Sequence, residues 1–247
     1  MTFPPPRALA PAERTVSSRR APGGGPAVRA SYDTVAEDDA ELVGQGMEPE
    51  ATWERAVLRA FAESVAPGGR VGDLGCGTGR TAGRLRGLGV SVLGVDLSPQ
   101  MLRVAARDHR EVPFRTGDMT RLPLAPGALA GALAWYSTVH SPDEQVEAMA
   151  AEFARVLAPG GVLCVAFKVG ADGSAPAGWL RHAYGHEVRL PVYRRPGGRA
   201  VRAPRTARAH RDRAGGARPG RRGTVPVLLL CDAAPGWQDR RHERHGA

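Results

Sequence analysis

Apolar and polar positions along the chain fall into two periods that take turns. Residues 48–65, EPEATWERAVLRAFAESV, place Trp53, Val57, Leu58, Phe61 and Val65 on one helical face and stop at Pro67-Gly68-Gly69, which predicts a helix covering a sheet. A strand ending Val71–Leu74 is then followed by a helix-compatible run, TAGRLRGLG (81–89), and by a second strand, VSVLGVD (90–96). Ser98-Pro99 opens the helix PQMLRVAARDH (99–109), and VPFRTGDM (112–119) reads as a third strand. The fourth strand is ALAGALAWYSTVH (128–140), small and apolar as a strand buried on both faces should be. Ser141-Pro142-Asp143-Glu144 reads as a capping box for DEQVEAMAAEFARVLA (143–158), with Val146, Met149, Phe153, Val156 and Leu157 as one stripe. Pro159-Gly160-Gly161 stops that helix before a fifth strand, GVLCVAF (161–167). Such alternation predicts one α/β domain with a doubly wound, mostly parallel sheet.

The flanks are less regular. Residues 1–30 have no hydrophobic period and are rich in Pro, Gly and Arg, which predicts a disordered tail. SYDTVAEDDAELVG (31–44) reads as a short helix entered at Ser31 with Tyr32, Val35 and Leu42 as its apolar side. Beyond Lys168, VGADGSAPAGWL (169–180) reads as a loop and HEVRLPVY (186–193) as a strand interrupted by Pro191. From Gly197 almost no apolar residue larger than alanine occurs until TVPVLLLCD (224–232), the one stretch there that can form a strand.

Charge follows this division. The chain of 247 residues has a formal net charge of +9, but residues 31–192 hold fifteen basic against twenty acidic residues, while residues 193–247 hold fourteen Arg against four acids. The body is mildly acidic and the basicity belongs to the ends, which weakens a nucleic-acid reading. Cys76, Cys164 and Cys231 lack C-x-x-C or Cys/His metal spacing, and the N-terminus lacks a secretion signal, so an intracellular, cytoplasmic protein without a membrane span is expected. His182 and His186 have the i, i+4 spacing of helical metal ligands, but Gly185 between them and the missing acid argue against a metal site.

The chemistry concentrates at VGDLGCGTGR (71–80). Glycines directly after a strand and before a helix let backbone amides approach a ligand. A dinucleotide fingerprint needs a sixth-position glycine where Arg80 stands, so an NAD-dependent oxidoreductase is the weaker reading. With Asp73, the segment D-L-G-C-G-T-G resembles the first motif of class I S-adenosylmethionine (SAM)-dependent methyltransferases, and LAPGGVLCVAF resembles their late strand motif. The resemblance covers about residues 31–196 and implies a Rossmann-like methyltransferase fold binding SAM. It implies a cofactor set of Asp73, Gly75, Gly77, Gly79, Asp96, Leu97, Asp118 and Met119, with Asp96 on the ribose and Asp118 and Met119 at the adenine. Tyr32, in the family's Y-D-x-x-A segment, closes over the cofactor or simply packs.

On the acceptor side, His140 is the candidate general base, with a loop-bonding role as the alternative, and Trp135, Tyr136 and His186 are candidate acceptor contacts. Base-modifying nucleic-acid methyltransferases carry [DN]-P-P-[YF] where this chain reads A-W-Y-S, so a small-molecule acceptor is favoured over RNA or DNA. A SAM-binding protein without turnover is the second reading. The family's closing helix and two strands are missing after Pro196, so the C-terminal part of the fold is expected to be incomplete. Residues 197–247 are then either a reading-frame slip in a GC-rich gene, in keeping with Lys168 as the single lysine, or a native basic tail.

Overall fold

The computed structural model describes residues 25–44, 52–168, 178–183, 186–193 and 227–232. The elements in order are α1 (Gly25–Gly44), α2 (Thr52–Ser64), β1 (Arg70–Leu74), α3 (Arg80–Gly87), β2 (Ser91–Asp96), α4 (Pro99–Asp108), β3 (Phe114–Thr116), β4 (Leu129–Trp135), α5 (Asp143–Val156), β5 (Leu157–Lys168), β6 (Gly178–Ala183), β7 (His186–Val192) and β8 (Val227–Asp232). Six strands form a parallel sheet in the order β3-β2-β1-β4-β5-β8. Strand order reverses between β1 and β4, which makes the carboxyl ends of those two strands the crevice where such sheets bind ligands.

Successive residues of one strand face opposite layers, and the core divides accordingly. Leu133 and Trp135 of β4 join Leu58, Phe61 and Val65 from α2 and its end and Leu85 of α3 on one face. Ala132 and Ala134 join Met149, Phe153 and Val156 of α5 on the other. The alanines let α5 lie close, while the larger alternates fill the opposite side. A third cluster joins Val35 and Ala36 of α1 to Met101 and Val104 of α4 and to Val188 and Leu190 of β7, so α1 is clamped between α4 and the β6–β7 ribbon. No helix among the described residues is long and apolar enough to cross a membrane.

Several local expectations differ from the structure. α1 begins at Gly25, not Ser31, and Ser31 is a mid-helix residue whose Oγ donates to the Ala27 carbonyl at 3.0 Å. Residues 25–30 thus belong to a helix whose alanines and valine have good or acceptable helical propensity. The capping box does not form: Pro142 is the N-cap of α5, without a side-chain cap bond. β4 ends at Trp135, and residues 136–140 form a turn beyond its carboxyl end. α5 stops at Val156, three residues before Pro159, because β5 already pairs at Leu157 with Leu129; the Pro-Gly-Gly run is a bulge between that pair and Gly131 with Val162. Gly178–Leu180 is strand rather than loop, and His182 and His186 sit on antiparallel strands rather than one helix. The strand expected at 224–232 exists as Val227–Asp232 and pairs in parallel with β5, so β5 is not the sheet edge. Residues 1–24 and 197–226, and the side chains of Leu42 and Trp53, lie outside the described residues.

Candidate functional site

The crevice at the strand ends holds a cavity of about 270 Å³. Its floor is the glycine turn after β1. Gly75, Gly77 and Gly79 have φ of 77°, 54° and 78°, a left-handed series that only glycine adopts freely. They do different work. A Cβ on Gly77 would meet nothing within 4 Å, so its free side is cavity space. A Cβ on Gly75 would come 2.4 Å from the Ser137 Cβ, and one on Gly79 would press on Ala105, Phe114 and His109. Gly79 lies outside the cavity lining and instead lets α3 pack on α4 and β3.

Asp96 closes β2 and holds the turn. Its Oδ2 accepts from the Gly77 amide and its Oδ1 from the Ser98 amide, both at 2.8 Å. Burial pushes this carboxyl above its ordinary value, the amide donors of Ser98, Gly77 and Leu97 draw it back, and the charge of Asp33 adds to the rise. Asp73, 1% exposed at the end of β1, is pushed up to about 7, first by burial and then by the charge of Asp96, with the Ala82 amide opposing. Two acids on one wall of a buried cavity give a site that favours a cation.

α1 forms the roof through polar contacts to the head of α4, the glycine turn and His140. Ser98 Oγ accepts from the Met101 amide, capping α4, and donates to Asp33 Oδ1 at 2.5 Å. Thr78 Oγ1 donates to Asp39 Oδ2 at 3.2 Å, and the Tyr32 hydroxyl lies 2.8 Å from Nε2 of His140. Burial, then the charges of Asp96 and Asp39, push the Tyr32 hydroxyl above its ordinary range, so it keeps its proton. Outside the cavity, Glu37 pairs with Arg103 and Arg107, and Asp38 Oδ2 lies 2.8 Å from Nε2 of His186.

Of the residues singled out from sequence, Tyr32, Asp73, Gly75, Gly77, Asp96, Leu97, Asp118, Met119, Trp135, Tyr136 and His140 all line this one cavity. His186 does not; it ties β7 to α1 through Asp38. Asp118 is exposed, with Oδ1 accepting from the amide and hydroxyl of Thr120 at 2.7 and 2.8 Å, an Asx turn that fixes the carboxylate at the rim. Sequence reasoning missed Asp39. Asp39 meets Thr78 of the glycine turn only through the tertiary placement of α1, so no local signal marks it. Ser137 lines the cavity too, within the run 135–140 beyond β4 that the sequence reading places at the transfer site.

The cavity can be tested for fit to SAM from its own polar atoms. Asp73 Oδ2 and Ser137 Oγ are buried in its lining and have no hydrogen-bond partner among the described residues. An orphaned carboxylate oxygen, a hydroxyl that can donate or accept, and the orphaned Trp135 indole N–H of the same lining call for a ligand that carries both donors and acceptors, with a cationic group suited to Asp73. SAM, with its sulfonium, ammonium and ribose hydroxyls, meets that demand, and the open side of Gly77 leaves room for close approach.

Residues 71–161 match a protein family described as methyltransferase domain. The chain is 35% identical over 137 residues to an O-methyltransferase of Pyrenophora dematioidea, covering 51% of each protein. It is 37% identical over 114 residues to a demethylmenaquinone methyltransferase of Beutenbergia cavernae, covering 46% of each. A solved SAM-dependent methyltransferase of Methanosarcina mazei is similar at 17% identity and TM-score 0.49, over 55% of this chain and 76% of that one. The chain spans about half the length of the curated relatives it matches. The family match and the two curated relatives support a class I SAM-dependent methyltransferase resemblance centred on residues 71–161, a span that holds the glycine turn, Asp96, Asp118, Met119 and His140 but not α1 with Tyr32.

Proposed function

We propose that this chain transfers a methyl group from SAM to a small-molecule acceptor. The observation that carries the reading is the meeting of Asp73, Gly77, Asp96, Leu97, Asp118 and Met119, spread over nearly fifty residues of sequence, around one cavity. When bound, SAM supplies a methyl group already activated by a positively charged sulfur. The chain's own groups therefore bind, orient and move one proton. Asp73 and Asp96 provide the negative wall for a cation, and the open face of Gly77 admits it. Asp118 and Met119 at the rim suit an adenine, the acid as acceptor and the thioether as an apolar face. The roof of α1, anchored through Tyr32, Asp33 and Asp39, keeps water from the reacting atoms.

His140 is 5% exposed beyond the end of β4, and it is assigned to accept the proton of an un-ionised acceptor while Tyr32 fixes its ring. The small-molecule class is supported by the acidic body, by A-W-Y-S in place of the nucleic-acid motif, and by the names of the relatives. Mass measurement of S-adenosylhomocysteine release, with demethylmenaquinone and a panel of phenols as acceptors, tests the reading. Release that depends on an acceptor is expected. SAM binding with no release across the panel would favour a binding protein without turnover. His140→Ala is expected to lower turnover by roughly 10²-fold with SAM affinity near the parent value. Parental turnover in that variant would return His140 to a loop-bonding role.

Affinity should also depend on pH, with a sign set by Asp73. In the ligand-free protein its carboxyl titrates near 7, and a cation beside it favours the ionised form, so binding releases a proton as pH falls below that value. SAM affinity is expected to drop by up to about tenfold per pH unit between 7 and 5.5. Asp73→Asn should flatten that profile, as titration calorimetry at several pH values can establish; an unchanged slope would remove Asp73 from the linkage. The same shift acts on folding. A carboxyl raised above its unfolded value contributes stability below the unfolded pKa, and that contribution is lost as pH rises through about 7.

A further inference from the structure

Tyr136 follows the last residue of β4 with φ of 54°, the one left-handed non-glycine residue among those described. That conformation is costly for a residue with a Cβ and persists only where its surroundings over-determine it. The Tyr136 amide donates to the Ala166 carbonyl of β5 at 2.9 Å, and its hydroxyl donates to Glu54 Oε1 at 2.9 Å. The ring packs against the core cluster of Leu58 and Phe61 and edge-on to Trp135, with centroids 5.6 Å apart. Glu54 is itself 7% exposed, in the first turn of α2. A buried carboxylate on a core-facing helix is expensive unless bonded, and the Tyr136 hydroxyl is a partner that offsets the cost.

The left-handed step changes the direction of the chain. Ser137 is thereby pressed against the glycine turn, 2.4 Å from where a Gly75 Cβ would stand, with its unpartnered Oγ in the cavity. His140, three residues on, reaches the Tyr32 hydroxyl. We propose that Glu54 and Tyr136 are a positioning pair, whose hydrogen bond holds the left-handed turn that aims Ser137 Oγ and His140 into the SAM cavity. The inference rests on the SAM reading and assigns the pair no contact with the reacting atoms; it acts through the two residues it orients.

Tyr136→Phe keeps the ring and removes only the hydroxyl. Hydrogen exchange of the ligand-free protein should then show the amides of residues 137–141 opening about tenfold faster, and calorimetry should show SAM affinity lower by about tenfold, while Tm falls by only a few degrees as the buried Glu54 carboxylate loses this bond and exchange elsewhere in the sheet stays parental. Glu54→Ala should repeat both effects. Glu54→Gln keeps a carbonyl oxygen to accept from the tyrosine and should restore near-parental behaviour. Parental local exchange and parental SAM affinity in Tyr136→Phe and Glu54→Ala would overturn the proposal. A rise in exchange across the whole sheet, with Tm falling to match, would also overturn it by making the pair purely structural. If the parent protein binds no SAM, the functional reading fails, whereas the exchange measurement still decides whether the pair holds the turn.

Discussion

Asp96→Ala should abolish most SAM binding and also weaken the empty protein. Each Asp96 oxygen holds one backbone amide, Gly77 on the turn and Ser98 at the head of α4, and truncation leaves both donors without their acceptor. Leaving a buried donor unsatisfied costs about 1–3 kcal/mol, and bonds to a charged group lie at the upper end. Part of that cost is offset, because removing Asp96 relieves the repulsion that raises Asp73. A Tm lower by roughly 5 °C is therefore expected, about 1–2 kcal/mol net for a chain of this size. Binding has no such offset. Loss of the turn geometry together with a negative wall for a cation should weaken SAM by about a hundredfold or more, near 3 kcal/mol. Asp96→Asn, whose amide can accept on one oxygen only, should fall between. Calorimetry and thermal unfolding on the same preparations check both numbers, and SAM affinity within a few-fold of the parent in Asp96→Ala would remove this residue from the site.

Gly75→Ala should do the reverse, with the larger effect on stability. The new Cβ meets a backbone of φ 77° and the Ser137 Cβ at 2.4 Å, so the turn and the segment after β4 must separate. A left-handed alanine costs about 1 kcal/mol or more, and overpacking a tight contact typically adds about 1–3. Together they amount to roughly 2–4 kcal/mol, a fall in Tm of about 5–15 °C. Gly77→Ala supplies the contrast. Its φ of 54° brings backbone strain, but no atom lies within 4 Å of the added carbon, so Tm should fall by much less while SAM affinity suffers because the methyl occupies ligand space. Thermal scans and SAM titrations of the two variants side by side should therefore rank them in opposite orders. Equal effects on both quantities would mean that the two glycines do not divide packing from binding.

What the sequence makes legible in this fold follows the range of each interaction. The strands and glycine turn were legible because burial on both faces forces apolar runs and a left-handed series forces glycine. Ser98 was legible as a cap because capping is local to four residues. The capping box at Ser141 was not formed, since Pro142 begins the helix in its place and the chain entering α5 comes out of the Tyr136 turn. Nothing near Asp39, Asp33 or Glu54 in the sequence marks a partner, because those partners are 39, 65 and 82 residues away. The division of labour among the three glycines was equally hidden, since Gly79 is fixed by Ala105, Phe114 and His109, which belong to later elements. His186 shows the same limit from the other side: a spacing suggestive of a site becomes, once β7 is placed, a tie to Asp38 on α1.

On the reading proposed above, the cavity between the glycine turn, Asp96 and α1 takes SAM. Calorimetric titration of the full chain with SAM, and in parallel with NADH, tests it most directly. Saturable one-to-one binding of SAM that collapses in Asp96→Ala, with no heat from NADH, is the expected result. Binding of NADH, or no binding of SAM to the folded parent protein, would contradict it.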